Sequence, residues 1–160
     1  MIRHTATLTA ILVTALLLPL AAWSCFGTEL RIGIGDAKTD TAAYATGYYV
    51  EEKTGISPDF RPAGDDPETA LKDETIDIFL APASLPVPEG LVTREIGEVN
   101  GAGTLVYWIR PDVLEDLRFT TVDRALGRIP AFFNSSSYHE AAKATDAPKK
   151  AARKAVLYAD

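Results

Sequence analysis

Between residues 29 and 83, short apolar segments alternate with segments of helical periodicity, and this alternation limits the possible folds more than any other feature. The strand candidates are Glu29 to Gly35, Ile56 to Pro62 and Ile76 to Ala83. Helical patterns lie between them, over Thr39 to Thr54 and from Asp66-Pro67-Glu68 onward. Strands that alternate with helices form parallel sheets with right-handed crossovers. The sequence therefore predicts an α/β fold, a three-layer βαβαβ lobe with a mainly parallel sheet and C-terminal helices.

The remainder of the chain predicts a hairpin followed by helices. Glu95 to Arg110 has the composition of one or two strands, interrupted at Asn100-Gly101, which is a strong turn signal. Residues 119–160 are predicted to form a helical extension that ends in a basic helix. We expect Phe132 and Phe133 in this extension to be buried against the α/β lobe.

The first 25 residues have the pattern of an export signal. A basic start precedes an apolar run over Ala10 to Leu20, and small residues come before Cys25. We therefore predict a signal peptide over residues 1–24 and a single mature domain over residues 25–160, located in the periplasm or cell envelope. An uncleaved membrane anchor is less favoured, because the apolar run is shorter than the ~20 residues of a spanning helix.

Cys25 directly follows Ser24, and this arrangement resembles the lipobox of bacterial lipoproteins, in which the cysteine is lipidated and becomes the new N-terminus. Trp23 is bulky where that motif has alanine or serine. Two outcomes therefore stay open: lipidation of Cys25, which would tether the domain to the membrane, and ordinary cleavage nearby. Since the chain has one cysteine, it cannot form an internal disulfide, and its stability must come from packing.

Charge and composition argue against several partners and chemistries. The formal net charge is −6 at pH 7, so nucleic acid is not an expected partner. After removal of the signal, His139 is the one histidine left, which leaves no pair of ligands for zinc, and we expect no metal. No cofactor is expected either, since Gly33 to Lys38 begins like a dinucleotide fingerprint but has Lys38 where the third glycine belongs.

Catalysis is not expected, and the function predicted is binding. The best local material for a nucleophile and a base is Ser135 to Ser137 together with His139 and Glu140. The constrained G-x-S-x-G turn that usually presents such a serine is missing from the sequence. We interpret Ser137 to Glu140 as a helix start, and a small hydrolase is the least favoured function.

The segments ELRIGIG and TIDIFLAPAS, with the export signal and the helix between them, resemble the first lobe of type 2 periplasmic solute-binding proteins, the substrate-binding family of bacterial ABC transporters. The resemblance covers roughly residues 29–118. It implies a non-catalytic protein that binds a small solute for transport or sensing. It also implies the membrane subunits of a transporter as further partners.

The resemblance implies a ligand at the carboxyl ends of the parallel strands, as in open α/β sheets generally. The helix start after the first strand would then favour an anion. Aromatic side chains could stack on the ligand or surround a quaternary ammonium, although core packing is the favoured explanation for Tyr44, Tyr48, Tyr107 and Trp108. The ligand-binding residues implied in this way are Asp36, Lys38, Thr39, Tyr44, Ala83, Ser84 and Trp108.

The chain is shorter than the two-lobed members of that family, and a single lobe cannot enclose a solute. Three explanations stay open at this point. The protein is a reduced relative whose cleft is covered by a partner or by its own dimer, or the cleft has lost its ligand, or the reading frame is truncated. The alternative function is a membrane-tethered lipoprotein that acts as a protein interaction module in the envelope.

Overall fold

The computed structural model describes residues 29–144 and 146–159. The predicted signal peptide over residues 1–24 and the predicted lipidation of Cys25 lie outside the described residues. Within the described ranges, no helix has the length and apolar character needed to cross a membrane.

Strands and helices alternate along the chain, and the predicted α/β class is confirmed. The strands are β1 (Glu29–Ile34), β2 (Ser57–Pro62), β3 (Ile78–Pro82), β4 (Val92–Val99) and β5 (Gly103–Ile109). The helices are α1 (Ala37–Thr54), α2 (Pro67–Lys72), α3 (Pro111–Glu115), α4 (Val122–Leu126), α5 (Ile129–Phe133), α6 (Ser136–Ala142) and α7 (Pro148–Leu157), with a 3₁₀ turn at Leu117–Phe119.

The five strands form one mixed sheet in the order β2-β1-β3-β5-β4. The first three strands are parallel, as the sequence predicted, and Ile32 of β1 lies between Phe60 of β2 and Ile78 of β3. β5 runs antiparallel to both of its neighbours, β3 and β4. It forms the predicted hairpin with β4, whose turn contains Gly101 at a φ of 86°, a left-handed conformation that glycine adopts without strain.

β2 and β4 are the two edge strands of the sheet. β2 contains Pro58 and Pro62, which lack an N–H donor. β4 has a bulge between Glu95 and Gly97, and Gly97 has a φ of 88°. Prolines, bulges and charges are the usual features of edge strands that do not pair with other chains.

Two boundaries differ from the prediction because a different residue caps the helix. α1 begins at Ala37 and not at Thr39, since Asp36 is its N-cap. α6 likewise begins after Ser135, whose side chain accepts the N–H of Tyr138, and not at Ser137. Side chains of Asp and Ser cap helices equally well at neighbouring positions, so the pattern alone does not select one.

The two faces of the sheet are covered unequally. The larger core lies on one face and includes Leu30, Ile32 and Tyr107, which pack beneath α1 and the helices α4 to α7. A smaller cluster lies on the other face, where Leu71 of α2 contacts the sheet near Trp108. Among the described residues, α2 is the one helix that contributes to this second cluster, so the second outer layer is thin.

The helical extension packs on the larger core. Phe132 and Phe133 are both buried, which confirms their prediction. Phe132 stacks on Tyr49 of α1 with 5.2 Å between the ring centroids, and α7 lies along α1. The extension therefore covers the sheet on the same side as α1.

A buried hydrogen bond connects α1 to the sheet. The hydroxyl oxygens of Thr46 and Tyr107 lie 2.9 Å apart, and both side chains are fully buried. A buried hydroxyl without a partner is costly, so each of these residues satisfies the other and fixes the position of α1 over β5.

The losses of stability from replacing Thr46 and Tyr107 one at a time should add up to more than the loss from replacing both together. Thr46→Val or Tyr107→Phe removes the partner of a buried hydroxyl, and each should lower the free energy of unfolding by about 1–3 kcal/mol. The double variant has two apolar groups in contact, so its loss should be smaller than the sum of the single losses. Urea unfolding measures all four proteins, and strictly additive losses would contradict the coupling.

Alkaline pH should destabilise the fold through its buried tyrosines. Burial raises the pKa of Tyr107 and Tyr138 above the usual value of about 10. The stability that they contribute is present below about pH 10 and is lost as the pH rises through their folded pKa, because the unfolded chain ionises first. Tyr107→Phe should reduce the decline of the unfolding free energy above about pH 10, and Tyr158→Phe, at a side chain that is 69% exposed, should leave it unchanged. Equal declines in the two variants would refute this assignment.

Candidate functional site

Two depressions at opposite edges of the sheet are candidates for a functional site. The carboxyl-edge groove lies where β1 ends and α1 begins, beside the β4–β5 turn. The amino-edge pocket lies where β1 and β3 begin and β5 ends. The first is at the edge where open α/β sheets bind ligands, and the second is at the opposite edge.

The carboxyl-edge groove has a volume of about 450 Å³. One wall is the first turn of α1, and the others are the β4–β5 turn, α6 and the start of α7. The helical extension therefore supplies part of the groove. The polar side chains along it are Lys38, Asp40, Thr41, Asn100 and Tyr138.

Carboxylates accept two of the backbone N–H groups at the start of α1. The Lys38 N–H donates to Asp36 Oδ1 at 3.0 Å, and the Gly35 N–H donates to Asp40 Oδ1 at 2.9 Å. Thr39 is buried, and its hydroxyl donates to the Asp36 carbonyl at 3.2 Å. Because these donors are taken and two negative charges stand beside them, the geometry argues against the predicted preference for an anion.

Tyr138 packs in the core and also lines the groove. Its side chain is 1% exposed, and its ring packs against Phe133 with 4.6 Å between centroids. Burial raises the pKa of the phenol, so the hydroxyl is neutral at physiological pH. No side chain of the described residues forms a hydrogen bond with it, and it can therefore donate to or accept from a ligand in the groove.

The predicted aromatic site around Tyr44 is occupied by the chain itself. Tyr44 packs edge-on against Phe60 at 4.8 Å, and Lys149 Nζ lies 5.3 Å from the centroid of Phe60. Arg153 lies 5.2 Å from the ring of Tyr48. These cations of α7 stabilise the helix against α1 and β2 through cation–π contacts, so Tyr44 is a packing residue and not part of the groove.

Three other predicted ligand residues also lie away from the groove. Trp108 is buried on the opposite face of the sheet, 6.1 Å from Phe79, and its Nε1 has no hydrogen-bond partner among the described residues. Ala83 and Ser84 are exposed after β3 and do not line the groove. Of the predicted residues, the structure brings Lys38 to the groove, with Asp36 and Thr39 fixing the adjoining turn.

The amino-edge pocket, of about 280 Å³, surrounds a buried carboxylate that sequence reasoning missed. The side chain of Asp77 is 3% exposed. Arg31 donates to it from Nη2 at 2.6 Å and from Nε at 3.0 Å. Arg110, 9% exposed, places Nη1 at 3.6 Å from Asp77 Oδ1 and also donates to Asp112. A lone aspartate inside the apolar segment IDIF was the available signal, since a buried charge requires a partner.

The chemistry of the amino-edge pocket is that of a structural ion-pair network. Arg31 and Arg110 share Asp77, and Arg118 pairs with Asp116. Each of these guanidinium groups therefore has a carboxylate within the chain, and one buried nitrogen, Arg110 Nη1, has no hydrogen-bond partner among the described residues. A ligand would have to compete with these ion pairs, so the carboxyl-edge groove is the better candidate for a binding site.

The serines of the extension lie at the start of α6. Ser135 is the N-cap of α6, and its Oγ lies 3.0 Å from Ser137 Oγ. His139 is exposed on α6. Within residues 29–144 and 146–159, no three His, Cys, Asp or Glu side chains are placed to hold a metal ion.

Comparison of the chain with protein families, with curated proteins and with solved structures gives no match. The carboxyl-edge groove combines a position at the carboxyl ends of the parallel strands with a lining of several polar side chains.

Removing the carboxylate of Asp77 should destabilise the protein strongly. Loss of one partner from a buried ion pair costs about 3–5 kcal/mol, and we expect the free energy of unfolding of Asp77→Ala to fall by an amount near the lower end. The matched control is Asp59→Ala, which breaks the exposed pair with Arg61 and should cost less than about 1 kcal/mol. Equal losses in urea unfolding would show that Asp77 is not a central contact.

Proposed function

We propose that this protein is an exported, non-catalytic binding protein that holds a small solute in the carboxyl-edge groove for transport or sensing. The observation that carries the proposal is the groove itself, with the neutral hydroxyl of Tyr138 in its wall. Its volume of about 450 Å³ lies within the ~300–1,000 Å³ of small-molecule sites. It is placed at the carboxyl ends of the parallel strands, where ligands bind in open α/β sheets.

A single lobe would leave its ligand open to water, and in this chain the helical extension adds further walls to the groove. α6 and the start of α7 stand across the groove from the first turn of α1. They serve as the opposing wall that a second lobe provides in two-lobed binding proteins.

We extend the proposal to a relationship with the first lobe of type 2 periplasmic solute-binding proteins. The parallel strands β2, β1 and β3, joined through α1 and α2, support it. Membrane subunits of an ABC transporter are then the proposed partners. The proposed location is the periplasm or the cell envelope, with Cys25 as the site of a lipid anchor if the signal is processed in that way.

One observation favours the alternative, an interaction module in the envelope. The segment between β3 and β4 presents Leu85 and Val87 to solvent, and prolines at 86 and 88 alternate with them. Exposed apolar side chains in a restrained loop are suited to contact with another protein. This function predicts no dependence on the groove.

A thermal-shift screen tests the choice between the two functions. The full-length chain with Cys25→Ser is heated with amino acids, betaines, amines, organic anions, phosphate and divalent metals. A solute at about 100 times its Kd stabilises the folded state by about 2.7 kcal/mol, which moves the midpoint of a domain this size by several degrees. A reproducible shift with one chemical class supports solute binding. A flat screen on folded protein refutes it and favours the interaction module.

A further inference from the structure

We propose that the solute group recognised in the carboxyl-edge groove is an ammonium held by Asp40, so that the protein binds small amines and not anions. This inference rests on the proposed function, because it names the ligand class of the same groove.

The two oxygens of the Asp40 carboxylate have different surroundings. Its Oδ1 accepts the Gly35 N–H at 2.9 Å, which holds the side chain in place at the start of α1. Within the described residues, Oδ2 has no hydrogen-bond or ion-pair partner. Asp40 lines the groove, so a fixed carboxylate oxygen is available to a ligand that can donate to it.

Tyr138 of α6 lines the same groove. Its side chain is almost completely buried, and its hydroxyl reaches the same groove without a partner among the described residues. An ammonium has three N–H donors. Asp40 and Thr41 of α1 and Tyr138 of α6 all line the groove, and each side chain has an oxygen that can accept a hydrogen bond. The lining therefore contains acceptors suited to an ammonium.

The charges around the groove favour a cation over an anion. The turn at the start of α1 has two carboxylates, Asp36 and Asp40, and one lysine, Lys38, so its net charge is negative, although of the two carboxylates it is Asp40 that lines the groove, together with Lys38. Two backbone donors at this turn, the N–H groups of Gly35 and Lys38, are already bonded to these carboxylates. The net charge of −6 also raises the local concentration of cations at the surface.

A matched set of four-carbon compounds tests the ligand class. The full-length chain with Cys25→Ser is titrated with putrescine, succinate and 1,4-butanediol at constant ionic strength, and the thermal midpoint gives an apparent Kd for each. Putrescine should raise the midpoint in a saturable way, and the diacid and the diol should not. Magnesium chloride at the same charge concentration serves as the control for nonspecific attraction.

Two variants assign the contact. Asp40→Asn keeps an oxygen that can accept the Gly35 N–H, and it should weaken putrescine at least about tenfold through loss of the charge. Tyr138→Phe should weaken it several-fold. The matched control is Asp59→Asn, an exposed carboxylate on β2, which should leave the affinity unchanged.

The outcomes separate the two proposals. Saturable binding of putrescine that Asp40→Asn weakens supports the ligand class. Binding of succinate, equal binding in Asp40→Asn, or a flat response here with a hit from another class in the broad screen overturns the ligand class and leaves solute binding in place. No response in either experiment overturns both.

Discussion

A single buried carboxylate holds three strands of the sheet in register. The backbone N–H of Asp77 donates to the Arg31 carbonyl at 2.7 Å, and its own carbonyl accepts the Arg110 N–H at 3.2 Å. Its Oδ2 accepts the Arg31 N–H at 2.8 Å. Side chain and backbone together therefore join β1, β3 and β5 at the amino edge. Since a slip of one residue turns every side chain to the opposite face, the position of the carboxyl edge, and of the groove there, depends on this contact.

The unequal cover of the sheet explains how a short chain forms a groove with more than one wall. All the helices of the extension lie on the same side as α1, and the other face keeps a small cluster under α2. Concentrating the helices on one side places α6 and the start of α7 beside the first turn of α1. A chain that divided them between both faces would leave the ends of β1 and β4 without a facing wall.

Local patterns predicted much of the fold and little of the site. The strands β1 and β2, the hairpin and the burial of Phe132 followed from periodicity and turn signals, which act over neighbouring residues. The insertion of β5 between β3 and β4 depends on distant pairing, which such patterns do not contain. The sequence makes Tyr44 and Trp108 candidate ligand residues, whereas the structure packs both within the chain, because an apolar stripe looks the same whether a core or a solute covers it. Lys38 reaches the groove because of where α6 and α7 pack, a tertiary property.

The edge strand β2 has a further consequence for assembly. The Ala63 N–H points inward, to the Ile34 carbonyl. Because the backbone groups of successive residues point to opposite sides of a strand, the residues of β2 whose backbone groups point outward are Pro58, Phe60 and Pro62. Two of these three residues are prolines, which have no backbone N–H to donate. An additional strand would find one donor along this side, too few to continue a ladder. Fibril-like growth from β2 is therefore blocked by its covalent structure, which protects the protein when it is crowded against other copies.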